Sequence, residues 1–350
     1  MKKFFAAANT ENGFRSLFGD IFAPEKFRRI YILKGGPGTG KSTMMKKIAS
    51  IAQSRGFDVE YICCSSDPDS LDGVIIAELS VAVLDGTAPH VTDPIYPGAV
   101  ERIVNLGEAF DFHLLEENRD RLIPLIRAKK EAYRSAYRFL SAAGKMEREH
   151  DESLRDCYLP TKADAAVKRM AASFRKTKNG RERRRYISAI CGKGHYRLHT
   201  LRAQAEKVYA VTDKNGAGYL FMETLYERLH SEGFSLTVCD HPVCGERKEA
   251  ILLDDEGVLF YVCDDKEAVL ADKIVNAMRF IDNERWAQKK RRLRLIRKCE
   301  SAVLDGAVAC FGEAGALHEK TEAIYGACVD FSKVDGVMCK IITEIFENNV

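Results

Sequence analysis

Short apolar runs separated by glycine-rich and polar turns mark the first hundred residues, a pattern that predicts buried strands. The runs are Ile30–Leu33, Phe57–Cys64 and Val81–Leu84, the last of which ends in Asp85. Between the first two runs, apolar side chains recur at helical spacing, at Met44, Met45, Ile48, Ile51 and Ala52. Strands and helices that alternate in this way indicate an α/β fold.

The second half of the chain repeats this order of elements. Lys207–Val211 matches Arg29–Leu33 at an offset of 178 residues, and the strand-like run Leu236–Cys239 follows it. On this register the matched positions are Gly216 with Gly38, Gly218 with Gly40 and Met222 with Met44. The repeat predicts two duplicated modules, residues 1–175 and 176–350.

Helical periodicity fills the segments between and after these cores. Leu115–Leu140 predicts an amphipathic helix interrupted by Pro124, and Trp286–Phe311 and Leu317–Phe331 predict helices of the same kind in the second half. The basic stretch Arg175–Arg185 predicts a solvated linker between the halves. Each module would therefore carry a helical appendage.

The segment between the first strand and the first helix carries the strongest chemical pattern. Residues 35–43 fit G-x-x-x-x-G-K-[ST], with a strand before and a helix after. Glycines let backbone N–H groups curl around a β-phosphate at a helix N-terminus, Lys41 would reach the β- and γ-phosphate oxygens, and the Ser42 hydroxyl would ligate Mg²⁺. The predicted nucleotide contacts are Gly35, Gly36, Pro37, Gly38, Thr39, Gly40, Lys41, Ser42 and Thr43. A glycine-rich turn without a ligand is the alternative interpretation.

Asp85 ends an apolar strand, which is the position of the acid that holds magnesium in phosphate-loop proteins. Ser42 and Asp85 are therefore the predicted magnesium residues. Gly86 follows, where many hydrolysing phosphate-loop ATPases carry the glutamate that activates water. The predicted catalytic residues are Lys41, Asp85 and Asp67. Other candidates for the missing acid are Asp69, Glu78 and His90, and for Asp67 and Asp69 a solvated loop carboxylate is the alternative.

The corresponding segment of the second half, residues 212–221, has a different chemistry. On the register above, Asp213 stands where the first half has Gly35. Tyr219 and Leu220 replace Lys41 and the serine after it. A carboxylate repels phosphate and a tyrosine supplies no cation, so the second module is predicted to be a degenerate copy with a structural or regulatory role.

Composition narrows the class of protein. Lys and Arg number 54 against 51 acidic residues, a net charge of +3, which excludes a chain-wide polycation. Lys289–Lys298 places seven positive charges on one helix, so nucleic acid is a possible partner, but a solvated face is favoured. The 46% of hydrophobic residues form no run of the ~20 needed to span a bilayer, and the odd number of cysteines, 11, indicates reduced thiols. A soluble cytoplasmic protein is expected.

The sequence resembles an uncharacterised family of bacterial ATPase-like proteins, found largely in Firmicutes, that contain two tandem phosphate-loop modules. The residues that carry the resemblance are Leu33–Thr43, Cys64–Gly73, Leu84–His90 and Tyr96–Ala99. The similarity covers most of the chain and is sharp over residues 29–105. The resemblance implies ATP binding.

Together these features predict two P-loop NTPase-like α/β modules with helical appendages, the second degenerate, and Mg²⁺ and ATP as cofactors. The leading function is ATP hydrolysis coupled to a conformational change, with an unknown substrate or protein partner. A small-molecule kinase of the nucleotide type and a switch that binds ATP without hydrolysing it are the alternatives. The missing glutamate after Asp85 favours the switch, and the acidic and histidine side chains of the nearby loops favour chemistry.

Overall fold

The computed structural model describes residues 1–175, 180–213 and 215–347, and within them two six-stranded mixed sheets and two long helices organise the chain. The strands of the first half are β1 (Lys2–Phe5), β2 (Ala7–Thr10), β3 (Gly13–Ser16), β4 (Arg29–Lys34), β5 (Val59–Cys63), β6 (Leu71–Ile76), β7 (Val81–Asp85) and β8 (Glu101–Asn105). Its helices are α1 (Phe18–Ile21), α2 (Lys41–Ser54), α3 (Phe112–Glu117), α4 (Arg119–Arg155) and α5 (Pro160–Ala171).

The second half has the same order of strands. Its strands are β9 (Glu182–Arg185), β10 (Ser188–Cys191), β11 (Gly194–Arg197), β12 (Lys207–Thr212), β13 (Leu236–Asp240), β14 (Lys248–Leu253), β15 (Val258–Cys263) and β16 (Lys273–Asn276). Its helices are α6 (Ala217–Ser231), α7 (Asp265–Ala268), α8 (Asn283–Ala327) and α9 (Phe331–Phe346).

The two sheets share one topology. The first has the order β1-β5-β6-β7-β4-β8, and β6 alone runs antiparallel to its neighbours. The second has the order β9-β13-β14-β15-β12-β16, and there β14 is the antiparallel strand. Each half also contains a separate antiparallel hairpin, β2–β3 in the first half and β10–β11 in the second. The predicted duplication of an α/β unit is confirmed.

The central strand β4 brings the predicted site residues to one edge of the first sheet. Its apolar side chains, Ile30 to Leu33, are buried because β7 and β8 flank the strand and α2 packs with Met44 and Met45 in the same core. Leu33 pairs with Asp85 in the parallel β4–β7 ladder. Both strands therefore end beside the turn that leads into α2.

The long helices α4 and α8 pack against each other and run antiparallel. The Asp111 N–H donates to the Cys328 carbonyl at 2.8 Å, and the Asp282 N–H donates to the Cys157 carbonyl at 2.7 Å, so the start of each helical segment meets the end of the other. No helix in the described part of the chain is both long and apolar enough to cross a membrane.

The terminal helix of each half packs on the other half. Val167 of α5 lies in the same core cluster as Phe221 of α6, and Ile341 of α9 lies in the core of the first sheet. The Tyr31 hydroxyl, on β4, donates to the Glu344 carboxylate at 2.9 Å. The predicted boundary at 175/176 adjoins residues 176–179, which lie outside the described residues.

Two helix predictions are wrong in their bounds. Pro124 does not interrupt α4, because it lies in the second turn, where the helix loses one backbone hydrogen bond near its solvent-exposed start. The segments predicted at Trp286–Phe311 and Leu317–Phe331 belong mainly to the single helix α8, and the chain breaks only at residues 328–330, before α9. Packing along α4 keeps α8 helical across the intervening glycines.

The prediction of a solvated linker at Arg175–Arg185 is wrong over its last four residues. These form β9, which pairs in parallel with β13 at the edge of the second sheet. Arg184 pairs with Asp240 at 3.1 Å, and Arg185 pairs with Glu60 of the first sheet at 2.7 Å. Acids distant in sequence pair with the basic strand, so its charge gave no sign that it joins the sheet.

Candidate functional site

The turn between β4 and α2, residues 35–40 (the first loop), has the backbone of an anion cradle. Gly38 and Gly40 have φ values of +71° and +80°, a left-handed conformation that favours glycine. The buried Thr39 hydroxyl donates to the Gly36 carbonyl at 2.9 Å and holds the loop closed. No side chain of the described residues caps the N-terminus of α2, which begins at Lys41. The positive end of the helix dipole therefore faces this loop.

Lys41 places its ammonium group inside the first loop. Its Nζ donates to the Gly35 carbonyl at 3.0 Å and to the Gly36 carbonyl at 2.8 Å. The same nitrogen lies 3.7 Å from Asp85 Oδ2, and the lysine side chain is 11% exposed. A largely buried cation with one carboxylate nearby can accept an additional anionic partner.

Two oxygen donors flank this cation. Asp85 Oδ1 accepts hydrogen bonds from the N–H and hydroxyl of Thr87, which leaves Oδ2 towards Lys41. The Ser42 Oγ accepts the Leu71 N–H at 3.0 Å. Thr43, in the first turn of α2, is exposed. Hydroxyl and carboxylate oxygens are ligands that Mg²⁺ takes in proteins.

The second half of the chain covers the first loop. A Cβ at Gly38 would lie 2.7 Å from the Glu322 carbonyl oxygen of α8, and a Cβ at Gly36 would lie 3.4 Å from the Tyr325 ring of α8. A Cβ at Gly40 would lie 3.7 Å from the Phe331 ring of α9. Glycines 36 and 38 thus also serve close packing. The sequence analysis missed these contacts, since no local pattern links α8 to a loop almost 300 residues earlier.

Basic side chains from outside the motif lie around the same loop. Lys129 Nζ of α4 lies 3.2 Å from His318 Nδ1 of α8, and His318 Nε2 lies 3.5 Å from Glu322. Burial, and then the Lys129 charge, lower the pKa of His318. Lys41 and Asp67 are also close enough to act on this imidazole. This pair was not predicted.

Asp67 and Asp69 form ion pairs with a lysine of the other module. Lys193, in the β10–β11 turn, lies 3.3 Å from Asp67 and 2.6 Å from Asp69. The side chain of Asp67 is 56% exposed. The structure therefore places Asp67 at the border between the two modules, and it gives Asp67 a basic partner that the sequence analysis did not identify.

His90 and Glu78 do not join the loop. His90 is 7% exposed, stacks on Phe18 and lies 3.1 Å from Asp72, so this candidate for the missing acid is buried and already has a partner. The Glu78 carboxylate accepts the Asp58 N–H at 3.0 Å, at the ends of the strands opposite to the first loop. The antiparallel β6 carries the chain away from the loop, which explains this position.

The second loop, residues 213–216, is two residues shorter than the first, which changes the predicted register. α6 begins at Ala217 after Gly216, whose φ of +84° matches that of Gly40. Structurally, Ala217 and Gly218 therefore correspond to Lys41 and Ser42, and the predicted match of Tyr219 to Lys41 is wrong. Residue 214 lies outside the described residues.

The corrected register places Ala217 and Gly218 where the first module has Lys41 and Ser42, so neither a lysine nor a hydroxyl stands at these two positions. The acid is lost as well, because Val262 pairs with Val211 where Asp85 pairs with Leu33. The Asp213 carboxylate accepts the Gly218 N–H at 2.9 Å, so an internal anion occupies the start of α6.

A buried charge cluster fills the space above the second loop. Arg247 donates to the Asp151 carboxylate at 2.7 and 2.8 Å, lies 3.2 Å from Glu147, and stacks over Tyr219 at 4.9 Å. Burial, against the opposing charge of Arg247 and with a smaller contribution from Glu300, raises the pKa of Glu147 to about 8. Acidic side chains thus lie near the second loop, whereas the basic side chains of Lys129 and His318 lie near the first loop.

Much of the basic helix face predicted as solvated is paired with acids. Lys289 pairs with Asp156, and Arg292 pairs with Glu149. Arg297 lies 3.4 Å from Asp213. These contacts support a structural interpretation of Lys289–Lys298.

Comparisons of this chain with protein-family models, with curated proteins and with solved structures find no match. The resemblance to tandem phosphate-loop ATPase-like proteins stays a prediction.

Proposed function

We propose that residues 35–43 bind the phosphates of Mg·ATP. The observation that carries this proposal is the position of Lys41, whose ammonium lies within the first loop at the uncapped N-terminus of α2. Phosphate oxygens would replace the carbonyls of Gly35 and Gly36 as its partners, and they would also accept the backbone N–H groups of the loop. A charge-assisted bond to phosphate is stronger than the carbonyl contacts it replaces.

Ser42 and Asp85 would hold the magnesium ion. Both supply oxygen donors, and Asp85 has one oxygen fixed by Thr87 and the other directed at the loop. When bound, the ion would neutralise charge on the β- and γ-phosphate oxygens. Asp85 also keeps Lys41 oriented, at 3.7 Å.

The surroundings of the loop support coupling between nucleotide and conformation. The first loop contacts α8 and α9 of the second half, and Lys193 connects the β10–β11 turn to Asp67. A nucleotide that changes the partners of Lys41 would alter these contacts. We therefore propose an ATPase that couples hydrolysis to movement between the halves, acting on an unknown substrate or protein partner.

A nucleotide-sensing switch is the second candidate, and Gly86 favours it. A Cβ at this position would lie 2.3 Å from Ile32 Cγ2, so the backbone leaves no space for a glutamate after Asp85. A carboxylate that activates water would have to come from elsewhere, and Asp67 is the acid proposed for that role. Slow turnover is the expected consequence of its pairing with Lys193.

A single-turnover assay separates the candidate functions. Protein in excess over γ-labelled ATP and Mg²⁺ releases labelled phosphate if the chain is an ATPase. Label transferred to a member of a metabolite panel indicates the small-molecule kinase. Intact ATP that stays bound over hours indicates the switch, and ATP that does not bind contradicts all three.

The chain is expected to bind one nucleotide rather than two. The second loop has no counterpart of Lys41 or Asp85, and the Asp213 carboxylate occupies the start of α6. Titration with a non-hydrolysable ATP analogue by calorimetry should give a stoichiometry near one. Two sites per chain, with one surviving in Lys41→Ala, would contradict the degenerate assignment of the second module.

Asp85→Asn is expected to remove most of the magnesium dependence of nucleotide binding, because it deletes a carboxylate charge beside the proposed ion. The affinity for the analogue with Mg²⁺ should fall about tenfold, while the affinity in EDTA should change little. Asp58→Asn is the control, since Asp58 pairs with Lys2 on the exposed surface. An unchanged magnesium response in Asp85→Asn would transfer the metal assignment to another acid.

A further inference from the structure

A cavity of about 330 Å³ opens in the second module, between the end of the β10–β11 hairpin and the strands β14 and β15. Its volume is within the range of small-molecule sites. The apolar part of its lining is formed mainly by Ile187, Leu198, Leu201, Ala250, Leu259 and Tyr261. Leu270 also lines the cavity and is 71% exposed, so the cavity opens to solvent at this residue, which we call its mouth.

The internal repeat identifies the equivalent place in the first module. The Leu198 N–H donates to the Ile187 carbonyl at 2.7 Å, as the Leu17 N–H donates to the Ala6 carbonyl at 2.7 Å. The hairpins of the two modules thus end in the same geometry. The segments that follow the two hairpins can therefore be compared residue by residue.

In the first module aromatic rings fill that place. The chain turns into α1 after Leu17, and the rings of Phe18 and Phe22 lie 5.3 Å apart. Phe22 lies directly over Gly73, where a Cβ would come within 2.5 Å of its ring. Phe18 stacks on His90 at 4.3 Å. Two aromatic side chains therefore occupy this part of the first module.

In the second module the same place is open. Ala250 pairs with Tyr261 as Gly73 pairs with Leu84, so Ala250 is the counterpart of Gly73, and it lines the cavity. Among the described residues no α-helix lies between β11 and β12, where the first module has α1, and His199 stands where the first module has Phe18. The cavity is thus the space that two aromatic rings take up in the other copy.

The charges that line the cavity cancel. Glu249 is buried and accepts hydrogen bonds from the Ser188 hydroxyl and the Arg197 guanidinium. Arg197 also lies 3.4 Å from Glu267, and Arg202 donates to the Leu270 carbonyl at the mouth. Two arginines thus face two glutamates, and this balance selects neither a cation nor an anion.

We propose that this cavity is a binding site for a neutral, planar aromatic compound of one or two fused rings. The shape follows from the rings of Phe18 and Phe22 in the equivalent place, and the neutrality follows from the balanced lining. Such a ligand would bury its ring against Ala250 and Leu259 and place a polar substituent at the arginine-lined mouth. The site lies in the module without the phosphate loop, so the proposal does not depend on nucleotide binding.

Calorimetry with 2-naphthol, naphthalene-2-carboxylate and 1-octanol tests the proposal on the full chain. 2-Naphthol is expected to bind with a stoichiometry of one, and the other two about tenfold more weakly. Absence of saturable 2-naphthol binding would overturn the proposal. Equal or tighter binding of the carboxylate or of octanol would overturn the neutral aromatic class.

Two variants locate the binding. Ala250→Leu replaces a methyl by an isobutyl group in the cavity wall and should weaken 2-naphthol binding at least about tenfold, whereas Ala287→Leu, on the exposed face of α8, should leave it unchanged. Ala250 is buried, so a change there can also affect folding. Leu270→Asp, at the exposed mouth of the cavity, is therefore a second variant that leaves the core intact, and it should weaken 2-naphthol binding severalfold. Full affinity in either cavity variant would place the probe elsewhere and contradict the site.

Discussion

Replacing Lys41 by alanine is expected to weaken Mg·ATP binding by a factor of about a hundred or more. Lys41 is the cation inside the first loop, and its Nζ has the carbonyls of Gly35 and Gly36 as its present partners. Without it, the triphosphate keeps the backbone N–H groups, the helix dipole and the magnesium ion, but it loses the side-chain cation within the loop. Calorimetric titration of wild type and Lys41→Ala with a non-hydrolysable analogue and Mg²⁺ measures the difference.

Lys47→Ala is the matched control for that experiment. Lys47 stands on the same helix, but it is 56% exposed and lies 3.7 Å from Asp335 on the surface. It should keep wild-type affinity, and both variants should keep cooperative thermal unfolding. Equal ATP affinity in Lys41→Ala and wild type would mean that the glycine-rich turn is not a phosphate site.

The local part of this site could be predicted from the sequence. A glycine-rich turn between a strand and a helix depends on neighbouring residues alone, so residues 35–43 carry their own structural context. Asp85 was placed correctly beside the loop, because a buried parallel strand that ends in a carboxylate brings it to the same edge. The repeated order of strands was visible for the same reason.

The parts that could not be predicted involve residues far apart in the chain. Glu322 packs on Gly38, and Lys193 pairs with Asp67, across more than a hundred residues in each case. The acids that pair with β9 are also distant from it. The second loop is two residues shorter than the first, and this shifted the predicted register, because Gly216 can be matched with Gly38 or with Gly40.

Arg247→Leu is expected to lower the free energy of unfolding at pH 7 by about 3–5 kcal/mol. Its guanidinium is 9% exposed and pairs with Asp151 and Glu147, so its removal leaves the largely buried Asp151 carboxylate without this counter-charge. Arg183→Leu is the control, because Arg183 is 55% exposed and its pair with Asp254 at 3.0 Å should contribute less than about 1 kcal/mol. Denaturant unfolding of both variants measures the contrast.

The loss in Arg247→Leu should also grow with pH. Burial raises the pKa of Glu147 from 4.5 to about 8, so the folded state holds a proton that the unfolded state releases. The stability from this proton is complete below pH 4.5 and is lost as the pH rises through 8. Without Arg247, deprotonation of the buried acids in the folded state should be less favourable. The free energies of unfolding at pH 6 and pH 9 should therefore differ more than in wild type.

Adding Glu147→Gln to Arg247→Leu removes one of these titrating acids and should restore part of the stability at pH 9. An Arg247→Leu loss no larger than that of Arg183→Leu, or one that does not change with pH, would mean that Arg247 does not stabilise the buried acids above the second loop.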